Sequence, residues 1–174
     1  LPNRAHILDL VTDALEARDH RLGALLFIDL DKFKHVNDEL GHHAGDAVLR
    51  IAAERLSAAL RPDDVVGRVG GDEFVALLAA PIEPEEADVV AERLQGALGE
   101  PIVVGRDSDG IPDVFRISAS IGVVAVPPGE QRAAAEILHE ADLAMYRAKA
   151  RGRASSHFTL GALERHGPAD SCSA

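Results

Sequence analysis

A single cysteine, Cys172, near the end of a 174-residue chain leaves no disulfide framework and no thiolate metal site, and it fits a reducing cytosol. Positive charge is scarce: 18 Lys and Arg stand against 29 Asp and Glu, for a net charge of −11. That balance argues against a general nucleic-acid or anionic-membrane surface, so a polyphosphate ligand would need a local group of cations or a metal. No run approaches the ~18 consecutive apolar residues of a membrane span, and no stretch resembles a signal peptide. GxxxxGK[ST], GxGxxG, HExxH and CxxC are all missing, which removes the footing for P-loop or zincin chemistry. The expectation is a cytoplasmic domain without nucleic acid and without direct membrane insertion. Because the chain starts at Leu1-Pro2 without methionine, it is expected to be a piece of a longer protein, which could itself be membrane-anchored.

What is present reads as one globular domain, with 47% apolar and 27% charged residues. Residues 3 to 18 place Ile7, Leu10, Val11 and Leu15 at helical spacing. "LGALLFIDLD", 22 to 31, is an apolar run closed by acids and predicts a buried strand. A second helix is expected over 43 to 60, stopped by Pro62, then a hairpin of Val65–Val69 and Phe74–Leu78. "EPEEADVVAERLQGAL" predicts a third helix with Pro84 in its first turn and acids at the positive end of its dipole. "VFRISASIGVVAV", 114 to 126, alternates as one long strand. A fourth helix is expected over 132 to 150 and a short last strand at "HFTL". Residues 105 to 113 read as a polar loop and residues 161 to 174 as a disordered tail. The tight hairpin within alternating strands and helices predicts an α/β (α+β) fold, with a central mixed, mainly antiparallel sheet flanked by helices.

The candidate chemistry lies in carboxylates at turns. Asp29 and Asp31 close the first strand, while Asp72 and Glu73 stand side by side in the hairpin turn. Adjacent like charges repel unless something cationic lies between them. Strand end and hairpin of one sheet can meet, which would set Asp29 and Asp72 across one cation, and hard oxygen ligands favour Mg²⁺ or Mn²⁺. Acids at strand ends also serve as plain solvated caps, and for Asp31 that reading stands equally. Gly70 and Gly71 would let a nucleotide approach the backbone, or simply make a tight turn with positive φ. A short helix beginning between Leu30 and Lys34 would offer free N–H groups, at Phe33 and Lys34, to phosphate oxygens. Lys149 lies four residues before Arg153 at a helix end, where both also complement the dipole.

"RVGGDEF" together with "FIDLDKFKHVNDELGHHAGDAVLR" strongly resembles the GGDEF family of diguanylate cyclases. The likeness runs from "LPNR" at 1 to 4 through "ADLAMYRAKARGR" at 141 to 153, so a GGDEF domain is expected over 1 to 160. The LTG that usually precedes LPNR is missing, and "GRASS" replaces the commoner GRN. The resemblance implies condensation of two GTP into cyclic di-GMP and two pyrophosphates, on a fold like the palm of nucleotidyl cyclases and polymerases. It implies metal binding by Asp29, the Leu30 carbonyl and Asp72, and activation of the 3′-hydroxyl by Glu73. Asn37 and Asp46 match guanine contacts, and Lys149 and Arg153 match phosphate contacts. Each domain would hold one GTP, so catalysis would need a homodimer, driven by an upstream sensor or dimerisation domain.

Two readings of the residues accompany it. Asp46 can accept from N1–H and the 2-amino group of guanine, and ATP would leave it unpaired; the alternative reading makes "NDELGHHAGD" a Gly-punctuated loop capping the next helix. His42 and His43 are expected to be loop residues near the site. "RPDD" places Arg61 and Asp64 as the family's RxxD product-inhibition motif, where Arg suits phosphate or the guanine O6/N7 edge, or as a helix stop. The rival to an active cyclase is a non-catalytic module that senses GTP or cyclic di-GMP for a neighbouring domain.

Overall fold

The computed structural model describes residues 1–17, 21–106, 112–151 and 156–159. Its elements are α1 (Arg4–Glu16), β1 (Leu22–Leu30), α2 (Phe33–Leu40), α3 (His42–Ala59), β2 (Val65–Arg68), β3 (Glu73–Ala79), α4 (Pro84–Gly99), β4 (Ile102–Arg106), β5 (Pro112–Phe115), β6 (Ala119–Ala125), α5 (Ala134–Arg151) and β7 (Ser156–Thr159). A five-stranded sheet runs in the order β2-β3-β1-β6-β7, with β4 and β5 forming a separate ribbon. β1 is antiparallel to β3 and β6, β2 is antiparallel to β3, and only β7 joins in parallel. The sheet is therefore mixed and mainly antiparallel, as the hairpin predicted.

All nine residues of β1 are buried, because helices cover both faces of the sheet. Ala24, Leu26, Ile28 and Leu30 face a core built with Val48, Leu56, Val90 and Leu94 of α3 and α4. Leu25 and Phe27 face the opposite core with Ile7 and Val11 of α1 and Ile137, Leu138 and Ala141 of α5. Two-sided cover explains the unbroken apolar run, and each such Leu or Ile contributes about 1.5–3 kcal/mol by leaving water. Gly122 sets the distance between β6 and α5: a Cβ there would meet the Ala141 carbonyl at 2.1 Å and the Met145 amide at 2.2 Å. That close approach fixes where the end of α5 falls.

The structure corrects several expectations. The stretch 114 to 126 is not one strand; β5 pairs with β4, β6 pairs with β1, and residues 116–118 pass between the two sheets. Burial alternates roughly over 114–118 and then becomes continuous through β6, which is covered on both faces, so the pairing partner and the burial pattern both change at the break. Of the polar loop expected at 105 to 113, residues 105–106 belong to β4, a strand the sequence reading missed, and residues 112–113 to β5. "NDELGHHAGD" is not a loop: α2 ends at Leu40 and α3 begins at His42, with Gly41 at φ 80° as the joint. His42 and His43 are therefore the first turn of α3. The expected tail at 161 to 174 and Arg153 lie outside the described residues.

Candidate functional site

Three strands meet at one end of the sheet. Asp29 on β1 is opposite Glu73 on β3 and Ser120 on β6, and the Leu30 amide donates to the Asp72 carbonyl at 3.1 Å. The antiparallel register thus brings Asp29, Leu30, Asp72 and Glu73 together from segments more than forty positions apart. Asp29 is 7% exposed, and its Oδ1 accepts from Lys149 Nζ at 2.7 Å, delivered by the last turns of α5. Burial raises the Asp29 pKa above the ordinary 3.8; Lys149 pulls it down, while Asp72 and Asp31 push it further up. Burial also raises Glu73 above 4.5, joined by repulsion from Asp29, Asp142 and Asp72 and opposed by Arg4. For Lys149, burial disfavours the charged ammonium, but its bond to Asp29 and the fields of Asp29, Asp31 and Asp72 outweigh that and raise its pKa.

Asp31 is not a solvated cap. It is 3% exposed and accepts from the hydroxyls of Ser118 at 2.7 Å and Ser120 at 2.8 Å. Its amide donates to the Ser118 carbonyl at 2.8 Å, tying β1 to the segment that leads into β6. The turn glycines are likewise different from a positive-φ hairpin: neither Gly70 nor Gly71 has positive φ. A Cβ on Gly70 would meet Glu73 Oε2 at 2.1 Å, whereas Gly71 opens onto free space. Gly70 makes room for the Glu73 side chain, and Gly71 leaves the turn open to an approaching ligand.

Lys32, left-handed at φ 59°, leads into α2 without capping it through a side chain, so the amides of Phe33 and Lys34 begin the helix beside the carboxylates. Asn37 on α2 packs over Gly45 on α3, its Oδ1 filling the space a Cβ would need; exposed Asp46 follows directly. Asn37 and Asp46 are thereby neighbours across the α2–α3 joint. Arg61 is exposed beyond the end of α3. Asp64, by contrast, is occupied: Oδ2 accepts from the Arg61 amide and Oδ1 from the Ala79 amide, both at 3.0 Å. Those bonds close the helix-stop turn onto β3, so Asp64 has a structural task whatever else it does. The sequence reading missed Arg68, whose guanidinium donates to the carbonyls of Gly70 and Gly71; an Arg before a Gly pair carries no signal that it grips that same turn.

The donor chemistry fits a divalent cation. Two carboxylates and a main-chain carbonyl are hard oxygen ligands, and an ammonium is already held where the acids converge. Among the described residues no group of three or more His, Cys, Asp or Glu side chains is placed to hold a metal, so the carbonyl of Leu30 and ligand oxygens would complete the shell. Among the described residues, too, no helix is long and apolar enough to cross a membrane.

A sheet whose central strand ends in a carboxylate opposite an acidic hairpin turn, with helices on both faces, is the palm-like arrangement of nucleotidyl cyclases. The family model described as diguanylate cyclase, GGDEF domain, matches residues 1–155, and the chain belongs to that family. It is 44% identical over 155 residues to the bifunctional diguanylate cyclase/cyclic di-GMP phosphodiesterase MucR of Pseudomonas aeruginosa, covering 88% of this chain and 22% of that protein. The crystal structure of the GGDEF domain of TpbB (YfiN) from the same organism is 41% identical, with a TM-score of 0.80, covering 91% of this chain and 96% of that one. The coiled coil and GGDEF domain of DgcB from Caulobacter crescentus, solved in complex with c-di-GMP, is 27% identical with a TM-score of 0.78, covering 91% and 82%. Against MucR and full-length TpbB the chain spans only 22% and 35% of the relative's length.

Proposed function

We propose that this domain condenses two GTP into cyclic di-GMP and two pyrophosphates, working with Mg²⁺ (or Mn²⁺) in the cytoplasm as a homodimer in which each copy holds one GTP. The observation that carries the reading is the convergence of Asp29, Asp72 and Glu73 at one sheet end, with Lys149 against them. In each of two steps a ribose 3′-oxygen forms a bond to the α-phosphorus of the other nucleotide, the bond to the pyrophosphate oxygen breaks, and the hydroxyl proton leaves. Glu73 takes that proton, a role suited to a carboxylate whose pKa is raised from its ordinary value. Asp29, Asp72 and the Leu30 carbonyl would hold the cation, which supplies neutralisation of charge on the attacking and leaving oxygens. Phosphoryl-type transfer asks the protein for positioning and charge more than for covalent chemistry, and the chain offers both. The Phe33 and Lys34 amides meet phosphate oxygens and Gly71 leaves space for them. Lys149, with Arg153 assigned by resemblance, brings positive charge. Asn37 and Asp46 read guanine.

Arg61 and Asp64 form the product-inhibition site in this reading, with Arg61 as the group free to turn toward a guanine or phosphate. An upstream sensor or dimerisation domain in the longer protein would set how often two copies meet. Incubating the domain with GTP and Mg²⁺ and identifying products by mass spectrometry tests the proposal. Cyclic di-GMP and pyrophosphate in a ratio of one to two are expected, with a rate per molecule that rises with protein concentration as copies associate. GTP bound but unchanged at every protein concentration would favour the sensing module instead.

A further inference from the structure

Arg68 has no part in the reaction described above, yet it touches at once the turn that carries Asp72 and Glu73 and Pro2, the residue before the Asn3 cap of α1. Its guanidinium turns to main-chain carbonyls: Nε and Nη2 donate to Gly71 at 3.1 and 2.7 Å, and Nε also to Gly70 at 3.2 Å. Its own amide points away from the sheet and donates to the Pro2 carbonyl at 2.9 Å. β2 is the edge strand, so this bond is the one that occupies its outer side at Arg68. Beside it, a Cβ on Gly67 would meet Ile7 Cγ1 at 2.6 Å and the Pro2 carbonyl at 2.9 Å, so the start of α1 lies flat against the strand. Asn3 then caps α1 through the His6 amide at 3.0 Å. Arg4 follows, close enough for its charge to oppose the upward push on the Glu73 pKa.

Apart from Arg68, the turn is tied to β1 by one bond, from the Leu30 amide to the Asp72 carbonyl at 3.1 Å. It is closed by a Val69 amide bond to the Glu73 carbonyl at 3.0 Å and a long one from Gly70 at 3.4 Å. Two consecutive glycines allow many backbone conformations, and Gly71 meets no neighbour that would confine it. A planar guanidinium donating to both glycine carbonyls restricts the turn in a way a flexible ammonium cannot.

We propose that Arg68 is a positioning residue for the condensation: its side chain fixes the Gly70–Gly71 turn, its main chain ties that turn to Pro2 just ahead of the capped start of α1, and displacement of the chain at residues 1–3 therefore reaches Asp72 and Glu73. The proposal rests on the reading of those two acids as catalytic, so its test includes a measurement that does not. Amide hydrogen exchange and initial rates with GTP and Mg²⁺ are measured on the 174-residue chain, on Arg68→Ala and on Arg68→Lys. Both variants should raise exchange at Val69, Gly70 and Leu30 by roughly tenfold, the scale of losing one or two hydrogen bonds in a local opening. Exchange at Val123 on the far side of the sheet should stay unchanged, and kcat should fall with little change in KM. Asn3→Ala, which uncaps α1, should raise exchange at Arg68 and Val69 as well.

Unchanged exchange at the turn in Arg68→Ala would overturn the proposal, and unchanged exchange at Val69 in Asn3→Ala would overturn its link to α1. Recovery of both exchange and rate by Arg68→Lys would also overturn it, since a point charge would then suffice, as for a contact to substrate phosphate. If the unaltered chain makes no cyclic di-GMP, the functional reading fails by itself and the exchange measurements still decide the role of Arg68.

Discussion

The two ends of α5 hold charge clusters built on opposite principles. Before its first turn, Arg132 bonds to Glu130 and to Glu140 and also donates to the Ala125 carbonyl at 3.2 Å, where β6 ends. Glu130, 9% exposed in its side chain, is pulled from 4.5 to about 2, foremost by its hydrogen bond with Arg132. At the other end Lys149 bonds Asp29 and lies in the fields of Asp31 and Asp72, and burial together with repulsion among the acids leaves Asp29 and Glu73 with raised pKa values. One cluster is compensated and ties a strand to a helix. The other is short of positive charge, and a fold keeps such a shortage where a ligand will supply it.

Asp72→Ala should break the comparison most severely. Turnover should fall by roughly 10²–10³-fold or more, the scale of removing a charge-stabilising group from an active site, while the melting temperature holds or rises because a repulsive acid is gone. Initial rates and a thermal melt on the same preparation check both halves. Arg132→Ala should do the reverse: breaking a largely buried pair removes about 2 kcal/mol of stability, or about 4–8 °C in a domain of this size. Its turnover well below the melt should stay within severalfold.

Acidity separates the clusters by sign. Glu130 has a folded pKa below its ordinary one, so its stabilisation is present above pH 4.5 and is lost as pH falls toward about 2. Glu73 has a raised pKa, so its favourable contribution is present below 4.5 and is lost as pH rises through the raised value. Melting curves without divalent metal should therefore show Glu130→Gln less stable than the unaltered chain above pH 4.5, and Glu73→Gln more stable at neutral pH. Equal signs for the two variants would erase the distinction between the clusters. The smallest effect is expected outside both. Arg61→Ala should shift inhibition by cyclic di-GMP to higher concentration, read from initial rates at rising product; Arg61 is the residue to change because Asp64 also closes a turn onto β3.

The convergence of Asp29, Asp72 and Glu73 was largely legible in the sequence because these acids lie at punctuated places: the close of an apolar run and a Gly-Gly turn followed by two acids. Antiparallel pairing then brings those places together. Gly41 was legible as a break but not as a joint only one residue long, so α2 was not foreseen at its full length. The split between β5 and β6 was not legible, since residues of both read as β-formers although β6 is buried throughout and β5 pairs elsewhere. The same holds for Asp31 and Asp64, whose tasks depend on hydroxyls and amides distant in the chain. The clusters at the two ends of α5 contain similar residues, and only their partners in space tell a structural knot from a site awaiting charge.

The claim that the catalytic carboxylates await a divalent cation is tested most directly by melting the domain at pH 7 with a non-hydrolysable GTP analogue, with and without Mg²⁺. At about a hundredfold excess over Kd, the ion should add about 2.7 kcal/mol and raise the midpoint by about 5 °C or more, with the rise lost in Asp72→Ala. An equal rise in Asp72→Ala, or none in the unaltered chain, would contradict the account.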